Sequence, residues 1–438
     1  MPPEKKQRAD ATEQWVERDV RRVWHGFTQM ASYADNRPVI AERGEGRELI
    51  DVDGRRYLDA ISSLWVITLG HRVPELDAAV REQLDRVAHS TLLGNGSTVV
   101  IELAEALASA VPVEDPKFLF ASDGAASVEQ ALKIAFQHWW NRGDSSRSTY
   151  LALGEAYHGD TVGSLSVGDS GFGTDLFDPL RFDRVIRTPG YNHAGWVDSA
   201  IDALHENAGS LAAAILEPVV QGASGMYIAE PDEVGRFGRA CQEAGVLLIC
   251  DEVATGFGRT GRMFASELCG LRPDILCLGK GLAAGYLPMS ATVASANVAA
   301  AFLGEDLGPA TFYHGHSFSG NALAAAVALR HLRLFDEMHV LDNVSARAEQ
   351  LAKRLHPLRD SKYVAAVRMR GLMAGVELAP PQEGLRWGRR VCAAAVERGV
   401  LLRPLGDVVV LMPILTSTAD EINRIVDSLE AAIEEVCA

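Results

Sequence analysis

LLICDEVATGFGRTGRMFASELCGLRPDILCLGK, running from Leu247 to Lys280, decides the fold. An apolar run, Leu247 to Cys250, ends in the acidic pair Asp251-Glu252, and a second, Ile275 to Leu278, ends in Gly279-Lys280. Apolar runs of this length bounded by turn residues read as strands of a parallel sheet, covered on both faces. An acid at the C-terminal end of one strand and a lysine just past the next would meet at one edge of that sheet, where open α/β sheets bind their ligands. A single Asp or Lys after a strand is ordinarily a solvated loop residue. Here the joint pattern departs from that: GFGRTG follows the acids, and glycines bracket Lys280.

A buried acid and a buried lysine at such an edge are the pair that pyridoxal phosphate requires. The lysine amine takes the cofactor aldehyde, and the acid keeps the pyridine nitrogen protonated so that the ring can accept electrons.

The chain has 438 residues, enough for one large core and a smaller one. Its 58 acids against 42 bases give a net charge of −16, which argues against nonspecific binding to nucleic acid or anionic membranes. The six cysteines show no CxxC or metal-like spacing, and Cys250 and Cys277 fall within apolar runs as buried thiols. The first residues, MPPEKKQRADATEQ, lack the apolar segment of a signal peptide, and no apolar stretch approaches the ~20 residues needed to span a membrane. A cytoplasmic, reducing compartment is the expectation.

Residues 38 to 60 alternate around Gly46 and Asp53-Gly54, predicting small antiparallel strands with a DG turn. An amphipathic helix is expected over Glu75 to His89. Between about 98 and 310, helical patterns alternate with apolar runs at Phe118–Phe120, Tyr150–Leu153, Ala213–Leu216, Leu247–Cys250, Ile275–Leu278 and Ser290–Val293. That alternation predicts βαβ units and a mostly parallel sheet. Beyond Asn321, a long helical stretch leads into helices and strands, including Val364–Val376 and Val408–Met412. The expected class is α/β: a large central domain, with a smaller α+β domain built from both chain ends.

Other segments carry chemistry. SDGAASVEQALKIAFQHWW places Gly124 and Ala125 before a strongly helical run, a backbone cradle for phosphate; alternatively Ser122 or Asp123 is an ordinary N-cap. In AYHGDT, Tyr157 or His158 could stack on a planar ring or simply pack a loop. LEPVVQGASGM places Gln221 where it could donate to a phenolic oxygen, and HGHSFSGN is a second loop suited to phosphate. In RPLGD, Arg403 is either structurally paired or open to a substrate carboxylate.

Together SDG, YHGD, EPVVQG, DEVATGFGRTG, LGKG and HGHSFSGN resemble the class III, fold-type I aminotransferases. WHGFTQM, SSLW, HSTLLG and RPLGD resemble the diaminopelargonate synthase branch, which aminates 7-keto-8-aminopelargonate in biotin synthesis. The likeness runs from about residue 20 to 430. It implies a seven-stranded large domain over 71–320, with a small domain from 1–70 and 321–438. It further implies that Lys280 bonds the cofactor, Asp251 pairs with the pyridine nitrogen, Tyr157 stacks, and Gln221 approaches the cofactor hydroxyl. Gly124 and Ala125 would bind phosphate, with His158 and Val253 also at the cofactor. Ser317 would reach the phosphate of a neighbouring subunit, implying a homodimer with shared sites. Arg403 would take the keto-acid carboxylate, and Phe27, Trp65, Asp160 and Arg259 match other substrate positions.

Three departures stand out. Asp123 lies where many relatives carry serine, so it must face away from phosphate or cap the helix. Leu64 replaces a tryptophan and Phe27 a tyrosine, which favours L-lysine over S-adenosylmethionine as amino donor. The rivals are a class III transaminase for another amine or ω-amino acid and a cofactor-binding regulator without turnover.

Overall fold

The computed structural model describes residues 3–169, 173–380, 382 and 386–438, with side chains from residue 11 onward. At its centre is a seven-stranded sheet in the order Lys117–Ala121, Ser290–Ala294, Ile275–Leu278, Leu247–Asp251, Leu211–Leu216, Thr149–Leu153, Val185–Thr188. Every neighbouring pair is parallel except the two made by Ser290–Ala294, which runs antiparallel to both its neighbours. The sheet is thus mostly parallel, as expected. Its central strands are buried along their whole length, because helices cover both faces and leave no polar side for an alternating pattern.

The six expected strand runs all appear, each within a residue or two of its expected bounds. The seventh, Val185–Thr188, has no such run to mark it. It is an edge strand with only two apolar residues, and Arg187 donates from it to the Gly168 carbonyl at 2.8 Å. The helix expected over Glu75–His89 spans Pro74–Leu84 and stops where polar residues and Val87 turn away.

Residues 41–59 form three antiparallel strands, Ala41–Glu45, Glu48–Asp51 and Arg56–Asp59, with Gly54 at φ +78° in the connecting turn. Val400–Leu401 joins this sheet parallel to Arg56–Asp59, so residues from both ends of the chain share it. A further four-stranded sheet orders Val364–Arg370, Met373–Leu378, Val408–Leu411 and Arg403–Leu405. The last helix, Ala419–Cys437, starts in a capping box: Glu421 N–H donates to Thr418 Oγ1 at 3.3 Å, and Thr418 N–H to Glu421 Oε2 at 2.8 Å. All six cysteines are buried and unpaired. No helix of the described residues is long and apolar enough to cross a membrane.

The consequence for function lies at one edge. The parallel strands Thr149–Leu153, Leu211–Leu216, Leu247–Asp251 and Ile275–Leu278 all end on the same side. The chain therefore delivers residues 154–160, Glu217, Asp251 and Lys280 to a common place.

Candidate active site

A cavity of about 430 Å³ opens at that edge. Its lining includes Trp65, Gly124, Ala125, Tyr157, His158, Asp160, Glu217, Asp251, Val253 and Lys280. Asp251 ends its strand buried, accepting from Val253 N–H at 3.0 Å. His158 Nδ1 lies 2.8 Å from Asp251 Oδ2, within hydrogen-bond distance. His158 therefore backs the acid and does not stack on a ring.

Lys280 follows its strand in a left-handed conformation, φ +37°, which a non-glycine residue holds only when its surroundings impose it. Burial pushes its ammonium below the ordinary lysine range, while Asp251 and Glu217 pull the other way and Arg259 adds to the lowering. The other acid of the opening stretch, Glu252, is structural. Fully buried, it accepts from Ala265 N–H and Ser266 N–H at 2.7 Å each, and so caps the following helical turn.

The helix Gly124–Asn141 points its N-terminus at the cavity. Asp123 is its N-cap, accepting from Ala126 N–H at 2.9 Å, which settles one of the open alternatives. The N–H groups of Gly124 and Ala125 have no intrahelical acceptor and remain for an anion. Val253 locks this corner: a Cβ on Gly124 would meet Val253 Cγ1 at 2.6 Å, and one on Gly279 at 3.1 Å. Gly→Ala inside a helix ordinarily stabilises by about 1 kcal/mol. Gly124→Ala is expected to do the reverse, displacing the helix start and weakening phosphate and cofactor affinity at least tenfold. Equilibrium dialysis of the variant with the cofactor checks this; affinity within twofold of the parent would contradict it.

Tyr157 is half-buried on the cavity wall and donates from its hydroxyl to Asp160 Oδ2 at 2.9 Å; burial pushes its pKa up. Trp65 faces Lys280, whose Nζ is 5.2 Å from the indole centroid. Arg403 lies in the Arg403–Leu405 strand, partly exposed, with burial holding its pKa below the usual value. Among the described residues no carboxylate pairs with it.

Three expectations need correction. Gln221 does not line the cavity: its Oε1 accepts from Tyr191 N–H at 2.9 Å and its Nε2 donates to the Gly154 carbonyl at 2.8 Å, so both ends of the amide serve the backbone. The group delivered instead is Glu217, four residues earlier. It accepts from Tyr157 N–H at 3.1 Å and Gly222 N–H at 3.2 Å, and burial, reinforced by Asp251, raises its pKa to about 7. The signal was available, since Glu217 directly follows an apolar strand as Asp251 ends one. Arg259 is buried beneath the site rather than in it, donating to Pro413 O at 2.8 Å and Ile67 O at 2.7 Å; burial lowers its pKa to about 10. Phe27 is 64 % exposed and outside the lining. Ser317 is exposed on a surface loop, its carbonyl accepting from His89 Nε2 at 2.6 Å. Phe27 does not reach the cavity of its own chain; for Ser317 the expectation concerns a neighbouring subunit's phosphate, and its surface position leaves it open to one.

An anion cradle, a buried carboxylate and a half-buried lysine around one cavity fit pyridoxal phosphate: its phosphate, its pyridine nitrogen and its aldehyde each find a partner of the right chemistry. Fold and cavity thus define a fold-type I pyridoxal-phosphate enzyme. A family model for class III aminotransferases matches residues 29–433, and the chain belongs to that family. The adenosylmethionine-8-amino-7-oxononanoate aminotransferase of Nitratidesulfovibrio vulgaris is 42 % identical, over 95 % of this chain and 80 % of its own. Its namesake in Methanocaldococcus jannaschii is 38 % identical, over 97 % of this chain and 98 % of its own. The crystal structure of the M. jannaschii enzyme matches with a TM-score of 0.94, over 97 % of this chain and 100 % of that one. An amine transaminase from an uncultivated Pseudomonas species, solved with the cofactor bound, is 33 % identical with a TM-score of 0.89, over 95 % and 99 %.

Proposed function

We infer that this chain transfers an amino group to 8-amino-7-oxononanoate (7-keto-8-aminopelargonate), giving 7,8-diaminopelargonate for biotin synthesis. The observation that carries this is the likeness over nearly the whole chain to enzymes named for that substrate; Lys280 and Asp251 on the cavity wall, and Arg403 outside its lining but within electrostatic reach of Tyr157, support it. When bound, pyridoxal phosphate supplies an aldehyde that accepts the donor's nitrogen and a ring that accepts electrons. Gly124 and Ala125 hold the phosphate and Val253 supports the helix start that presents them. Asp251 holds the proton on the pyridine nitrogen, itself oriented by His158. Tyr157, on the cavity wall, would cover the ring. Lys280, its pKa lowered by burial, would hold the cofactor aldehyde and could take up or give a proton at Nζ.

Arg403 takes the keto-acid carboxylate. Such a charge-assisted bond is worth roughly 1.5–3 kcal/mol, about tenfold to a hundredfold or more in affinity. Arg403→Ala should weaken the keto-acid half-reaction on that scale and leave cofactor binding intact. Unchanged keto-acid affinity in a titration would move the carboxylate site elsewhere.

For the donor we propose S-adenosylmethionine, after the names of the relatives. The case for lysine rests on Phe27 and Leu64, which are 64 % and 46 % exposed and outside the cavity lining. Incubating the purified holoenzyme with the keto acid and each donor, then weighing products by mass spectrometry, tests both. Diaminopelargonate formed with lysine alone would overturn the donor and keep the reaction. No diaminopelargonate, with turnover of another amine and pyruvate, would favour the broader transaminase reading.

We also propose a homodimer with shared sites. Leu93, Leu176, Leu303, Leu307, Tyr313 and Phe318 are each at least 61 % exposed, large apolar side chains that a second copy would cover, and Ser317 lies on the same loop as Phe318. Light scattering should give twice 47.2 kDa; a monomer mass would overturn this. The six unpaired thiols fit a reducing, cytoplasmic setting.

A further inference from the structure

The backbone that carries Trp65 is the most contorted segment near the cavity. Ser62, Ser63 and Trp65 have φ of 52°, 60° and 67°, and Ser63 combines its positive φ with ψ −73°. None of the three is glycine, so the turn persists only because its surroundings impose it. The strongest constraint comes from one side chain. Asp59, with its carboxylate wholly buried, accepts from Ser63 N–H at 2.8 Å on each of its oxygens and from Ser63 Oγ at 3.2 Å. His71 Nε2 holds the same carboxylate at 3.0 Å, and the Arg259 guanidinium interacts with it electrostatically. Ser62 Oγ pins the other end of the turn to Met412 O at 2.7 Å.

Asp59 is absent from the cavity lining, whereas Trp65 is part of it. The indole rests on Gly222, where a Cβ would come within 3.3 Å of its Cζ3, and its Nε1 is buried without an acceptor in the chain. The ring therefore sits in one place with a donor uncommitted, and its backbone is held there by a carboxylate a few residues earlier in the chain. We propose that Asp59 is a positioning residue for substrate binding: by clamping Ser63 it fixes the strained turn that presents Trp65 to the cavity opposite Lys280. This rests on the transaminase reading for its kinetic consequence, but not for its structural one.

The test uses the holoenzyme and three variants, Asp59→Ala, Trp65→Phe and Trp65→Ala, with Asp59→Ala also combined with each Trp65 change. If Asp59 works through Trp65, Asp59→Ala raises the substrate KM about tenfold while kcat stays within about threefold, and the Asp59→Ala/Trp65→Ala double variant matches the Trp65→Ala single variant within about twofold. A merely structural Asp59 would lower thermal stability with KM unchanged, or its effect would multiply with that of Trp65→Ala; either outcome overturns the proposal. The second readout needs no turnover. The Trp65 emission, taken as the difference between protein that keeps Trp65 and the Trp65→Phe variant in the same background, should shift to the red and become open to acrylamide quenching once Asp59 is replaced by alanine. An unchanged difference spectrum overturns the proposal even if no amine or keto acid is turned over, in which case the transaminase reading fails separately. Asp59→Asn, equal in size and keeping one acceptor oxygen, covers the case in which Asp59→Ala does not fold. It should give an intermediate KM and a smaller red shift, and a parental value of both would count against the clamp.

Discussion

Lys280→Ala is expected to abolish turnover, with a rate loss of at least ~10³-fold. Among the described residues Lys280 is the single lysine on the cavity wall, so no other amine there can bond the cofactor aldehyde. Proton transfer by a positioned group contributes ~10²–10⁴-fold by itself, and the covalent attachment adds to that. The variant should still bind the cofactor through Gly124, Ala125 and Asp251, but without a bond that borohydride can trap. Lys280→Arg should not restore activity, because a guanidinium cannot give up its proton near neutral pH. Small free amines should recover part of the rate by entering the space vacated. A trapped adduct at parental yield in Lys280→Ala would place the covalent link on another residue.

Asp251→Asn ranks second. An ionised carboxylate beside the pyridine nitrogen raises that nitrogen's pKa by ~1–3 units, and each unit is worth about 1.4 kcal/mol. Replacing it by the amide should therefore slow each half-reaction by about tenfold to a thousandfold while the fold persists. The loss falls on both arms of the network, since Asp251 Oδ1 serves Val253 N–H and Oδ2 serves His158, and an amide offers only one acceptor to the two. The spectral pKa of the bound cofactor should drop with the rate. Near-parental rates at neutral pH would mean that some other group protonates the ring.

Both residues were legible before any coordinates, for a local reason. A strand buried on both faces is a continuous apolar run, and the residue that ends it is delivered to the sheet edge wherever the strand lies within the sheet. Asp251, Lys280 and Tyr157 follow such runs, and so does Glu217, which the same rule would have found. Gln221 misled because a polar side chain in a glycine-rich loop can turn either way. Its direction was set by Tyr191 and Gly154, 30 and 67 residues distant in sequence. Arg259 is similar: it follows the acidic pair closely, yet its Nη1 and Nη2 are claimed by the carbonyls of Pro413 and Ile67.

By itself, then, the sequence determined the strand runs, the parallel character of the sheet, the cofactor and the delivery of Asp251 and Lys280 to the cavity, because each depends on patterns a few residues long. Tertiary structure alone decided the order of the strands and the reversed direction of Ser290–Ala294. It also decided the choice of Glu217 over Gln221 and the burial of Arg259. The strained presentation of Trp65 belongs with these. These features depend on partners as far apart as Ser62 and Met412, 350 residues along the chain, and such pairings leave no mark in either segment alone.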